Sequence, residues 1–182
     1  MFKNRSFRFL KMLKHSKGFT FVEVAVTLAI LAILMAIAIP SYISWLPKHR
    51  LLTGVRQIYD DLNLAKIRAI QANTLAVAKF DIANNRYTIF LENPALPINW
   101  ALDASDTIIK QQVTFEKDVR LTGTTLPAHT CGFNNRGMLP AGAGTGVIRL
   151  TNPANTLMGV EVLNTAGNIR IVTSTDGWAT WN

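Results

Sequence analysis

Residues 17–40 read K-G-F-T-F-V-E-V-A-V-T-L-A-I-L-A-I-L-M-A-I-A-I-P, and the rest of the chain is arranged around them. Phe19–Ile39 is a 21-residue, mostly apolar segment. As an α-helix rising about 1.5 Å per residue it spans roughly 30 Å, the thickness of a bilayer's hydrocarbon core. Two features set it apart from a plain anchor. It carries one carboxylate, Glu23, where an ionised side chain is costly and points to function. It also begins at a basic-Gly-aromatic junction, Lys17-Gly18-Phe19, directly ahead of the apolar run.

Gly18, Phe19, Thr20, Glu23 and the closing Pro40 together resemble the N-terminus of type IV pilins and of the pseudopilins of type II secretion. The resemblance implies that a prepilin peptidase removes residues 1–18, cutting between Gly18 and Phe19, and methylates the new N-terminus. Glu23 then becomes the fifth residue of the mature chain. Leaders in this family are often short, and Met12 opens M-L-K-H-S-K-G, a seven-residue alternative to the eighteen-residue leader. A carboxylate near the end of a membrane helix needs a cationic or donor partner. The same helix offers no cation after Glu23 until Lys48. The ammonium that cleavage would free on Phe19 of a neighbouring subunit could pair with Glu23 and draw apolar helices into a staggered filament. A rival reading of the stretch is a secretory signal peptide with an A-x-A site at Ala36-Ile37-Ala38, releasing a protein that starts at Ile39. Glu23 inside the apolar run, and a run longer than the usual ~7–15 residues, weigh against it.

Charge follows the same division. The formal net charge is +8, yet residues 1–17 hold six basic groups and no acid, leaving 13 Lys/Arg against 10 Asp/Glu after the anchor. That asymmetry reads as topology, N-terminus cytoplasmic and C-terminal domain exported, and the resemblance implies that the membrane is the bacterial inner membrane. The lone Cys131 has no partner for an internal disulfide, so the exported domain folds on core and hydrogen bonds.

Beyond Pro40 the helical period continues. Leu51, Val55, Ile58, Leu62, Ala65 and Ala69 recur at alternating steps of four and three, one face of a helix. Arg56, Asp60, Asp61, Lys66 and Arg68 are assigned to the opposite, solvated face. Pro40 and Pro47 each remove a backbone donor, so bends are expected there. The spacing thus predicts one long, kinked helix over 19–71, its first half in membrane or filament core (19–39), its amphipathic continuation (40–75) packed on a sheet. From Ala76 the period changes to two: Ala76, Ala78, Phe80 and Ile82, then Tyr87, Ile89 and Leu91, flank an Asn84-Asn85-Arg86 turn as a hairpin. Residues 93–106 form a loop whose Trp100 is exposed or folded over the sheet. Further strands are predicted at 108–116, 119–121, 147–151, 160–163 and 169–173, with Gly-rich turns at 132–146 and 165–167. The fold class is α+β, pilin-like, with the helix packed on an antiparallel β-sheet domain over 76–182.

F-N-N-R-G at 133–137 and A-G-N-I-R-I at 166–171 are similar to the GspH/FimT branch of the same superfamily. That branch implies a non-catalytic minor pseudopilin of type II secretion near the tip of the pseudopilus, or alternatively a type IV pilus minor pilin serving assembly, motility or DNA uptake. The implied partners are prepilin peptidase, other pseudopilins or pilins, and the inner membrane, with no cofactor. Some FimT proteins bind DNA through Gly-Arg-x-Arg. The corresponding residues, Gly167-Asn168-Ile169-Arg170, lack the first arginine and so one phosphate-pairing charge. DNA capture would require Arg136, Arg149, Arg170 and Lys117 to form one face. Enzymatic chemistry finds little purchase. His129-Thr130-Cys131 offers two metal ligands without the remainder of a zinc set, and A-G-A-G-T-G at 141–146 lacks the lysine and following helix of a phosphate loop. Trp178 and Trp181 are expected to close the core or a partner surface.

Overall fold

A computed structural model of the chain describes residues 18–174. One helix, α1 (Phe21–Ala72), is followed by eight strands: β1 (Ala76–Asp81), β2 (Arg86–Leu91), β3 (Thr107–Thr114), β4 (Arg120–Thr124), β5 (Thr130–Phe133), β6 (Gly146–Thr151), β7 (Leu157–Val162) and β8 (Ile169–Ser174). A single 3₁₀ turn, Pro127–His129, links β4 to β5. The helical assignment runs unbroken through Pro40 and Pro47. The chain divides into two units at Ser41/Tyr42. In the first, apolar side chains from Phe19 to Ile39 stand exposed on all sides of the helix.

The second unit holds the rest of α1 and both sheets. Leu51, Val55, Ile58, Leu62, Ala65 and Ala69 are all buried, the stripe that the four-three spacing predicts. They share one core with the inner faces of two four-stranded antiparallel sheets, ordered β3-β2-β1-β5 and β4-β6-β7-β8. Gly54 is where the helix meets the β3–β4 connection, and a Cβ there would lie 3.2 Å from Val119. The helix ends in a Schellman motif: Asn73 takes a φ of 50°, its N–H donates to Ile70 O, and Thr74 N–H donates to Ala69 O.

Three expectations need correction. The strands form two sheets instead of one, because β4 pairs with β6 while the chain turns at Leu126–His129 and sends β5 back to pair with β1. Strand β5 takes in Gly132 and Phe133, the first two residues of the expected Gly-rich turn at 132–146. Gly132 sits mid-strand because Trp100 lies over this outer face of the sheet, with Leu75, Val77 and Phe90; a Cβ on Gly132 would come within 2.6 Å of the indole. Third, Asp61 is not on the solvated face. It lies three residues after Ile58 and four before Ala65, within the inward stripe, and is 7% exposed.

Candidate processing and assembly site

The N-terminal junction is open. Gly18 has nothing within 4 Å of where a side chain would begin, and Phe19 is 82% exposed. Helix α1 starts after Thr20, whose hydroxyl accepts the Glu23 N–H at 3.2 Å and whose carbonyl accepts the Val24 N–H at 3.2 Å. Thr20 is therefore the N-cap and Glu23 the third helical residue, the T-x-x-E spacing of a capping box. That start signal is present in the sequence beside the processing motif. It places the Glu23 carboxylate in the first turn, where the helix dipole favours negative charge. Glu23 is exposed and makes no ion pair among the described residues. The most apolar stretch of α1 is long enough to cross a membrane and is wholly unburied within the chain. A capped, exposed start, a carboxylate without an ion pair and an uncovered apolar helix are thus contiguous.

In the second unit, Asp61 accepts the Tyr87 hydroxyl at 2.7 Å and lies 3.5 Å from Lys110 Nζ. These two partners make its burial tolerable. Burial, followed by the Asp61 hydrogen bond and charge, pushes the Tyr87 phenol well above its ordinary range. Cys131 is fully buried and its thiol is pushed up to about 12 by desolvation, which makes it a packing residue. His129 is exposed and shares a 2.9 Å hydrogen bond with Thr124. No group of three metal-ligating side chains occurs among the described residues.

The four basic residues considered for nucleic acid are dispersed. Arg149 and Arg170 both point to the outer face of the β4-β6-β7-β8 sheet, since Arg149 pairs with Gly159 and Arg170 with Glu161 two residues along. Arg170 is ion-paired to Glu161 at 2.7 Å. Lys117 adjoins Asp118, which holds Arg50 of α1 at 2.8 Å. Arg136 adjoins Gly137, which abuts Lys66 and Ile70 of α1. Sixteen residues of helix separate Arg50 from Lys66, about 24 Å at 1.5 Å per residue, so Lys117 and Arg136 lie toward opposite ends of this unit.

The two C-terminal motifs meet each other. Leu139 N–H donates to Thr165 O at 2.9 Å, and Lys66 Nζ donates to Gly167 O at 3.1 Å. Gly167, at φ 71°, would place a Cβ 2.5 Å from Gly137 O, so only glycine fits where the turns touch. F-N-N-R-G and A-G-N together clasp the end of α1. Trp178 and Trp181 lie outside the described residues, as do residues 1–17 of the expected 1–18 leader, Met12 among them.

A single apolar N-terminal helix whose continuation packs on antiparallel sheets defines a pilin-like subunit. Residues 13–39 match the prokaryotic N-terminal methylation motif, and residues 54–178 match the family described as type II transport protein GspH. The chain belongs to the GspH family of type II transport proteins. Among solved structures it is similar to the minor pseudopilin EpsH from the type 2 secretion system of Vibrio cholerae, at 13% identity and a TM-score of 0.49, covering 70% of this chain and 99% of that one. No curated protein sequence matches the chain.

Proposed function

We infer that the protein works as a minor pseudopilin of type II secretion, a non-catalytic filament subunit whose place is at or near the pseudopilus tip. Prepilin peptidase cuts after Gly18 and methylates Phe19. Residues 19–39 hold the subunit in the inner membrane, with the N-terminus cytoplasmic and the β-rich domain periplasmic, until Glu23 pairs with the Phe19 ammonium of a neighbour. The observation that carries this reading is the exposed, unpaired Glu23 on an uncovered apolar helix ahead of a GspH-family domain. The pilus alternative draws no support from the family match.

A cross-linked affinity purification of the full-length protein from native membranes, read by mass spectrometry, tests both halves. The expected result is a mature N-terminus at methylated Phe19, with co-purifying pseudopilins, a secretin and the secretion ATPase. Recovery of pilus subunits with a retraction ATPase would transfer the protein to the pilus. A mature N-terminus at Ile39 would make it a released periplasmic protein and end the filament reading.

A further inference from the structure

A cavity of about 510 Å³ opens between the β3–β4 connection and the β6–β7 hairpin, lined by Lys117, Asp118, Arg120, Thr151, Asn152 and Asn155. Its charges are unevenly used. Asp118 is held by Arg50 at 2.8 Å, and the neighbouring Glu116 lies 3.7 Å from the same guanidinium. The side chains of Lys117 and Arg120 are exposed and make no ion pair or hydrogen bond among the described residues. Two cations therefore face a cavity whose one carboxylate is already neutralised.

Asn152 adds a third demand. It is 2% exposed, and its Oδ1 accepts the Thr156 N–H at 2.9 Å, which fixes the orientation of the amide. Its Nδ2 is buried without a hydrogen-bond partner. An unmade buried donor is a standing cost and is uncommon in folded proteins. The turn beneath it is closed by Asn155 N–H donating to Asn152 O at 3.0 Å, with Asn155 at φ 54°. Pro153 is the one apolar residue in the lining. The lining thus offers two cations without an ion pair and one unmade amide donor.

We propose that Lys117, Arg120 and Asn152 form a phosphate-binding site on the exported domain. A phosphate offers several acceptor oxygens, enough to meet two cations and one amide donor together, and charge-assisted bonds of this kind are the strong ones. The group could be free inorganic phosphate or the phosphate of a lipid headgroup. The site is separate from the processing junction and from Glu23, and it stands whether or not the filament reading does.

Hydrogen exchange of the full-length protein in detergent, with and without inorganic phosphate at constant ionic strength, tests the site. Phosphate slows exchange saturably in 117–121 and 151–156, and chloride does not. Lys117→Gln and Arg120→Gln each weaken the apparent affinity about tenfold, the loss of one charge-assisted bond. Asn152→Asp keeps the acceptor for Thr156 while replacing the orphan donor with an anion, and it abolishes the protection. Unchanged thermal midpoints in the two cation variants separate loss of binding from loss of fold. The same protein in nanodiscs of phosphatidylcholine, with or without phosphatidylglycerol and in buffer free of inorganic phosphate, distinguishes the sources: protection that the lipids give without added phosphate assigns the group to lipid. Protection from either source supports the site. No protection from either, or protection that survives all three substitutions, overturns it.

Discussion

Glu23 and Asp61 are two carboxylates on one helix with opposite fates. Glu23 has its backbone N–H capped by Thr20 and its carboxylate left without a counter-charge among the described residues, and the partner proposed for it belongs to another chain. Glu23→Ala should leave membrane insertion intact, since it makes the apolar run more apolar, and should abolish incorporation into the filament; quantitative cross-linking to neighbouring subunits measures this, and normal incorporation would remove Glu23 from the assembly mechanism. Asp61 finds its partners inside the fold, in the Tyr87 hydroxyl and Lys110. Tyr87→Phe keeps the ring that packs 5.6 Å from Phe115 and 5.7 Å from Phe80 and removes only the donor. The substitution should cost about 1–3 kcal/mol, the penalty for leaving a buried acceptor short of a partner, read as a lower denaturation midpoint. The Glu23 anomaly is legible because it interrupts a homogeneous run. Asp61 misleads because an Asp-Asp pair on a helix suggests solvent, and the compensating tyrosine lies in another element.

Among the elements, periodicity is a good guide wherever one face alone meets the core. The α1 stripe from Leu51 to Ala69 and the β1–β2 hairpin follow directly from it, and β1 pairs with β2 from Ala76↔Leu91 to Asp81↔Arg86. It fails at β5, which is four residues long and fully buried, so no alternation marks it. Its glycine reads as a turn until the Trp100 ring above it is known. That close approach predicts a coupled pair. Gly132→Ala should destabilise the domain by about 1–3 kcal/mol, because the added methyl overpacks against an indole held between strand and loop. In a Trp100→Ala background the same substitution should cost far less, and a double-mutant cycle of denaturation midpoints measures the difference. Equal costs in both backgrounds would mean that the backbone, and not the ring, requires glycine there.

At the scale of the whole molecule, the split between six cations in residues 1–17 and a nearly balanced charge after the apolar run divides the chain before any packing is known. The two-sheet arrangement stays hidden because it depends on which distant strands pair: β4 joins β6 across the segment that holds β5. The phosphate-site residues are equally dispersed in sequence, and only the hairpin beside the β3–β4 connection brings them together. The response of the β-rich domain to pH also depends on this long-range assembly. Glu92 follows β2, is 4% exposed, and accepts the Trp100 N–H at 2.9 Å, which ties the 93–106 loop to the sheet. Desolvation raises its pKa above the ordinary value, outweighing the Trp100 and Asn99 backbone donors, with Asp106 and Asp103 adding to the rise. A raised folded-state pKa means that the folded form holds this proton more tightly than the unfolded chain. The associated stability is therefore fully present below the ordinary glutamate range and is lost as pH rises through the raised value. Glu92→Gln keeps an acceptor for Trp100 and removes the ionisation. The variant should match the parent in acid, and its denaturation midpoint should exceed the parent's increasingly as pH rises toward neutrality. A constant difference across that window would mean that Glu92 ionises as freely in the fold as outside it, and that its hydrogen bonds to the loop outweigh its burial.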